Sequence, residues 1–138
     1  MTTSCQQLEL THKVHQCIQK CQWYQAKHYC QRLLKTDTSD AQVHHLLGLI
    51  HIQIAATCSS ADLRREHEER AVSAFQAATL NAPHMTEAHI NLGNSYLQIQ
   101  RPADALKAYQ AAHALAPDSD LVHASLAEGN WQIKNHSQ

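Results

Sequence analysis

Seven residues between Thr86 and Ser119 fix how that stretch can fold. Counting Thr86 as one, Leu92, Gly93 and Tyr96 stand at seven, eight and eleven. Ala105, Tyr109, Ala112 and Pro117 stand at twenty, twenty-four, twenty-seven and thirty-two. The spacing reads as two helices joined at Arg101-Pro102-Ala103-Asp104, a tight turn. Gly93 and Ala105 are small, which lets the helices cross closely. Tyr96 and Tyr109 fill the space between layers, and each hydroxyl can reach water or a partner. Pro117 ends the second helix because proline cannot continue the hydrogen-bond ladder.

The same frame runs along the chain. A unit starting at Ala41 puts Leu47 and Gly48 at seven and eight. Ala71, Phe75, Ala78 and Pro83 keep the spacing of the second half but stand 11 residues late. Residues 41–85 therefore read as one unit with an insertion near the hairpin tip that lengthens both helices. Ser60 or Asp62 is the cap ahead of the charged run from Arg64 to Arg70. A second helix from Leu63 to Asn81 would be about 28 Å long. Residues 7–40 form a weaker unit, with Ala26, Cys30 and Leu33 at twenty, twenty-four and twenty-seven. There Lys13, Val14 and Cys17 replace Leu, Gly and Tyr, and Thr38 replaces Pro. Residues 120–133 restart a unit with Leu126 at seven, and no second helix follows. This reads as a capping helix covering the last apolar face.

This pattern resembles the tetratricopeptide repeat family, in which L-G-x2-Y is followed by A-x3-F and then by A and P. His89 stands where the family usually has Trp. The resemblance implies an all-α, right-handed solenoid of antiparallel helix hairpins, in three units plus a cap. It also implies that the first helices line a concave groove. The groove side chains would be His12 and His15 from the first unit, Gln42, His45 and Leu49 from the second, and Glu87, Asn91, Asn94 and Gln98 from the third, with Trp131 at the cap. Asn and Gln both donate and accept, so such a surface suits a peptide backbone. Family members that clamp a C-terminal carboxylate do so with Lys and Arg. Thr11, His15, Leu46, Glu87 and Asn91 occupy those places here, so that specificity is not expected.

Composition agrees with helix and narrows the partners. The chain has only three Gly and three Pro, and it is rich in Ala, Leu and Gln. Lys plus Arg total 11 and Asp plus Glu 12, a net charge of −1, which argues against nucleic acid or an anionic membrane as partner. No run of about 18 apolar residues crosses a bilayer, and Met1 to Leu10 lacks a secretory signal pattern. Five irregularly spaced cysteines fit reduced thiols in a cytoplasmic protein better than a disulfide framework.

The 12 histidines invite other readings. His12, His15 and His45 could hold zinc, but no ordered ligand set supports a metal, and no cofactor is expected. His44, His89 and His123 all stand at position four, which suggests packing between helices that acid would loosen. Cys17 and Cys21, one turn apart, read as a packing pair. The Arg64–Arg70 run reads as a solvated helix face. No nucleophile–base pair or phosphate-cradling loop points to an enzyme. The leading expectation is an interaction scaffold, an adaptor or chaperone-like module binding a peptide segment. Its alternatives are the substrate-binding or regulatory part of a larger transferase-type enzyme and a secretion chaperone. The apolar groove centre also allows weak self-association.

Overall fold

The computed structural model describes residues 2–136, which form seven α-helices and no strand among the described residues. They are α1 (Thr2–Gln19), α2 (Trp23–Thr36), α3 (Ala41–Thr57), α4 (Ala61–Asn81), α5 (Thr86–Gln98), α6 (Pro102–Leu115) and α7 (Asp120–His136). Each helix packs on the next in the chain, and α5 also touches α7. The fold is an α-solenoid of helical hairpins.

Caps and turns set the helix ends. Asp40 accepts from the backbone N–H groups of Gln42 and Val43 at the start of α3. Ser60, one of the two cap candidates, takes that role for α4 by accepting from Leu63 N–H at 3.4 Å. Pro102 opens α6, where its missing N–H costs nothing. The α1–α2 and α5–α6 turns share one geometry. Cys21 and Gln100 adopt left-handed φ of 58° and 62°. The next N–H bonds five residues back, Gln22 to Cys17 and Arg101 to Tyr96, both at 2.8 Å. Cys21 is thus an exposed turn residue while Cys17 is buried, so the two do not form a packing pair. Burial, and secondarily Cys17, push the Cys30 thiol up to about 12, so it stays protonated.

The α3–α4 hairpin differs. α3 has 17 residues against 13 in α5, and α4 has 21 against 14 in α6. Four extra residues in one helix and seven in the other account for all eleven, and the connecting loops are equally short. α4 is about 31 Å long at 1.5 Å per residue.

Two hairpins close by one contact. Phe75 and Tyr109 are fully buried and lie over Gly48 and Gly93 respectively. A Cβ at Gly48 would sit 2.6 Å from the Phe75 ring, and one at Gly93 would overlap the Tyr109 ring. Around these contacts run three apolar clusters. Val14, Cys30, Ile50 and Ile54 fill α1–α3, and Ala71, Phe75, Leu92 and Tyr109 fill α4–α6. Val122 of α7 covers Ile90 and Ala112.

Of the position-four histidines, His123 meets another helix through its ring, whose centroid is 5.4 Å from that of His113 on α6, but all three also bond to a loop. His44 and His89 are half-buried and His123 is exposed. Each donates from Nε2 to a loop carbonyl six residues back: Thr38 at 2.8 Å, Pro83 at 2.9 Å and Pro117 at 2.6 Å. Protonation leaves that N–H in place, so acid does not break these contacts.

The acid-sensitive contact is elsewhere. His51 of α3 and His67 of α4 are buried with their Nδ1 atoms 3.0 Å apart, one donating and the other accepting. Burial, then His67, Lys27 and Arg70, bring His51 down to about 4. Burial, then Lys27 and Arg70, lower His67 against an opposing pull from Glu66. The unfolded chain therefore takes up protons first, near 6.5, while folded His51 resists until about 4. Stability is complete above that window and falls as pH drops through it.

Two predictions follow from these contacts. Gly48→Ala should destabilise by about 1–3 kcal/mol in chemical denaturation despite alanine's better helix propensity. Gly129→Ala should cost less, because its Cβ would lie 3.1 Å from Tyr109. In thermal melts, the wild type should lose about 5 °C or more between pH 7 and pH 4.5. The His51→Leu, His67→Leu variant should lose much less over that range, and His44→Gln should behave as wild type.

Candidate peptide-binding groove

The residues expected to face a groove lie on α1, α3 and α5, and they fall into distinct environments. His12 and His15 are exposed on α1, with His12 Nε2 3.1 Å from the Gln16 amide. Gln42, Glu87, Asn94 and Gln98 are exposed, and Leu49 is half-buried. Leu49, Ile52 and Leu97 pack against the α4–α6 cluster, so they form an apolar strip between α3 and α5. Trp131 on α7 is 58% exposed.

His45 is not an open groove residue. It is 8% exposed, its ring is 5.6 Å from that of Phe75, and its Nε2 accepts from Asn91 Nδ2 at 2.8 Å. That bond ties α3 to α5 across 46 residues of sequence. Burial lowers the His45 pKa, partly offset by Glu87, which keeps Nε2 available as an acceptor near neutral pH. One Asn91 donor is therefore committed, and its carbonyl oxygen and second N–H remain. Asn94 uses its carbonyl oxygen to accept from the Tyr109 hydroxyl at 2.5 Å. Its two amide N–H groups point to no partner among the described residues. Burial, and secondarily Glu128, hold the Tyr109 phenol up to about 12, so it remains a donor.

His45 is bound to Asn91 while His12 and His15 are exposed, and no three potential metal-binding side chains converge among the described residues. No described helix is long and apolar enough to cross a membrane.

A cleft of about 400 Å³ adjoins the groove, lined by Ile52, Ala55 and Ala56 of α3, Arg64, Glu68 and Ala71 of α4, and Ser95 and Gln98 of α5. The frame placed Gln98 on the groove but gave no sign of the cleft, because it depends on the extra turns. The His51–His67 pair was also missed. Its one signal is that His51 stands where the third unit has Tyr96.

The hairpins, the ring-on-glycine contacts and the packing of each helix on the next define a helical-repeat fold. Residues 86–119 match the family model described as tetratricopeptide repeat, so the chain carries a tetratricopeptide repeat there. Solved structures of such domains are similar over nearly the whole chain. The first tetratricopeptide-repeat domain of human RPAP3 is 14% identical with a TM-score of 0.78, covering 94% of this chain and 93% of that one. The second domain of human RPAP3, in complex with the HSP70 peptide SGPTIEEVD, is 12% identical with a TM-score of 0.78, covering 92% and 97%. PcrH, in complex with the chaperone binding region of PopD, is 17% identical with a TM-score of 0.71, covering 98% and 92%. These likenesses are of fold. Comparison with curated protein sequences gave no match.

The Asn91–His45 bond yields a stability prediction. Asn91→Ala leaves a largely buried acceptor unpaired and should cost about 1–2 kcal/mol in urea unfolding at pH 7. The cost should shrink as pH falls through the lowered pKa of His45, because the protonated ring no longer offers Nε2 as an acceptor to Asn91.

Proposed function

We propose that the chain is a non-catalytic scaffold that binds an extended, uncharged peptide segment along α1, α3, α5 and α7. In this reading the groove is built from units 7–40, 41–85 and 86–119, with 120–133 as the cap. The observation that carries it is the unused hydrogen-bonding capacity of Asn94 and Asn91 beside the Leu49, Ile52 and Leu97 strip. Amide donors next to an apolar strip suit a peptide main chain that places alternate side chains against the strip. Complexes of RPAP3 with an HSP70 peptide and of PcrH with a PopD region support peptide binding by this fold. The acidic sequence SGPTIEEVD is a poor electrostatic match here, because Glu87 is exposed on the groove and no Lys or Arg is among the expected groove residues. Free thiols, three of them buried, agree with a reducing, cytoplasmic setting.

Panning a random peptide library and measuring the selected peptides by calorimetry tests the proposal. Neutral sequences with alternating apolar residues should emerge, and SGPTIEEVD should bind more weakly. Asn94→Asp keeps the acceptor for Tyr109 but removes both donors. It should weaken the selected peptides about ten-fold, a loss of about 1.4 kcal/mol, with little change in melting temperature. Selection of no peptide, or indifference to Asn94→Asp, would sink this reading.

A further inference from the structure

Charge is unevenly divided along the chain. Residues 1–36 hold five cations, Lys13, Lys20, Lys27, Arg32 and Lys35, against one acid, Glu9. The remaining residues hold six cations against eleven acids. The first hairpin is therefore positive and the rest of the chain negative. Outside that hairpin every arginine is engaged. Arg64 donates to the Cys58 carbonyl, and Arg65, Arg70 and Arg101 pair with Glu69, Glu66 and Asp104. Arg32 makes no ion pair or side-chain hydrogen bond among the described residues, and neither does Lys35, one turn on. Both are exposed, and both line a cleft of about 420 Å³ between the first half of α1 and the last turns of α2. Gln6, Leu10 and Lys13 line its α1 side. Lys13 Nζ lies 3.7 Å from Glu9, which also lines the cleft, and 5.6 Å from the centre of the Tyr29 ring. Asp37, just past α2, is turned to Ser39, accepting from its N–H at 3.0 Å and its hydroxyl at 2.7 Å. The Arg32 fork is thus free to hold a carboxylate at two points.

We propose that this cleft binds an acidic segment of a partner protein, with carboxylates at alternate positions of an extended stretch. It is a second site, independent of the proposed groove. With 3.6 residues per turn, Gln6, Leu10 and Lys13 lie on the side of α1 away from His12 and His15. Arg32 and Lys35 stand three apart on α2, which puts their Cβ atoms about 5–6 Å from each other. Residues i and i+2 of an extended segment point the same way, about 6.6 Å apart. One carboxylate therefore meets Arg32 through two hydrogen bonds and the next meets Lys35, while the residue between them faces away. Spacing also favours a protein segment over a nucleic acid or a lipid surface. Glu9 in the cleft, and the excess of acids beyond residue 36, oppose a dense or long polyanion. Two spaced carboxylates meet only the positive hairpin, because charges more than about 8–10 Å away are screened. Tyr24, the exposed ring of α2, already has Lys27 over it at 5.3 Å, which leaves a base one face at most to stack on.

The test titrates the isotope-labelled full chain, in about 50 mM salt, with the capped peptide GSEAEAGS and, separately, its amide counterpart GSQAQAGS. Backbone amide resonances within residues 6–13 and 32–36 should move with the acidic peptide, which should bind about ten-fold more tightly than the amide one. Arg32→Gln, Lys35→Gln should abolish that preference with no loss of melting temperature, since both side chains are exposed. Lys20→Gln, Lys107→Gln removes the same net charge elsewhere and should leave the affinity within about two-fold. Arg32→Glu, Lys35→Glu should reverse the preference, taking GSKAKAGS over GSEAEAGS. Asn94→Asp, in the proposed groove, should change nothing here. The proposal is overturned if the acidic peptide moves no resonance in those two segments or binds no better than the amide peptide. Equal weakening by Arg32→Gln, Lys35→Gln and by Lys20→Gln, Lys107→Gln would also overturn it. So would a short oligouridylate, or vesicles containing phosphatidylserine, that engaged the same residues more tightly than the acidic peptide.

Discussion

An aromatic ring seated on a glycine sets the geometry from which the rest follows. Phe75 on Gly48 and Tyr109 on Gly93 bring two helices closer than any Cβ would allow. That closeness fixes each helix's rotation, and rotation decides which side chains face inward. Gly129 of α7 meets the other edge of the Tyr109 ring, so the same residue also seats the last helix. Because that ring is a tyrosine, its hydroxyl reaches Asn94 and fixes the orientation of a groove amide. Packing and the proposed recognition thus share one side chain. The first hairpin reaches a similar end by exchange. Val14 stands where the others have glycine, Cys30 stands where they have the ring, and both are fully buried. Bulk lost from the second helix is restored on the first, as cores tolerate when volume is conserved.

The hairpins were legible because their determinants are short-range. Small residues, rings and prolines at fixed intervals mark a helix pair, and an 11-residue delay in the second half implies longer helices. The left-handed turns at Cys21 and Gln100 left no trace, since neither carries the glycine that usually marks such a place. The position-four histidines were visible as a recurrence, but the loop bond they share was not, and only His123 adds a ring contact to another helix, with His113. Their acceptor is a main-chain carbonyl, so Thr38 serves as well as Pro83 or Pro117, and side-chain identity there carries no information.

The proposed groove was legible only as a list of positions. A repeat frame says which residues share a helix face, but not which hydrogen-bonding groups are already occupied. His45 and Asn91 satisfy each other across 46 residues, which removes one from the surface and half-commits the other. Asn94 keeps its donors only because Tyr109 needs an acceptor. These assignments depend on contacts between helices distant in sequence, so they emerge with the fold.

The lengthened hairpin shows why such contacts matter. His51 occupies the place that Tyr96 holds in the third unit, and a buried imidazole requires a partner there. Tyr96 finds Gln76, from the preceding hairpin's second helix. His51 instead finds His67, in the part of α4 that precedes Ala71, where α6 has only three residues before its corresponding Ala105. The insertion thus supplies the partner that the histidine needs. Neither change is well tolerated alone: without the extra turns His51 is unpaired, and without His51 the His67 ring is buried with one nitrogen unsatisfied. The same turns raise the wall beside Ser95. The acid-sensitive core contact and the step beside Ser95 thus both belong to the lengthened hairpin.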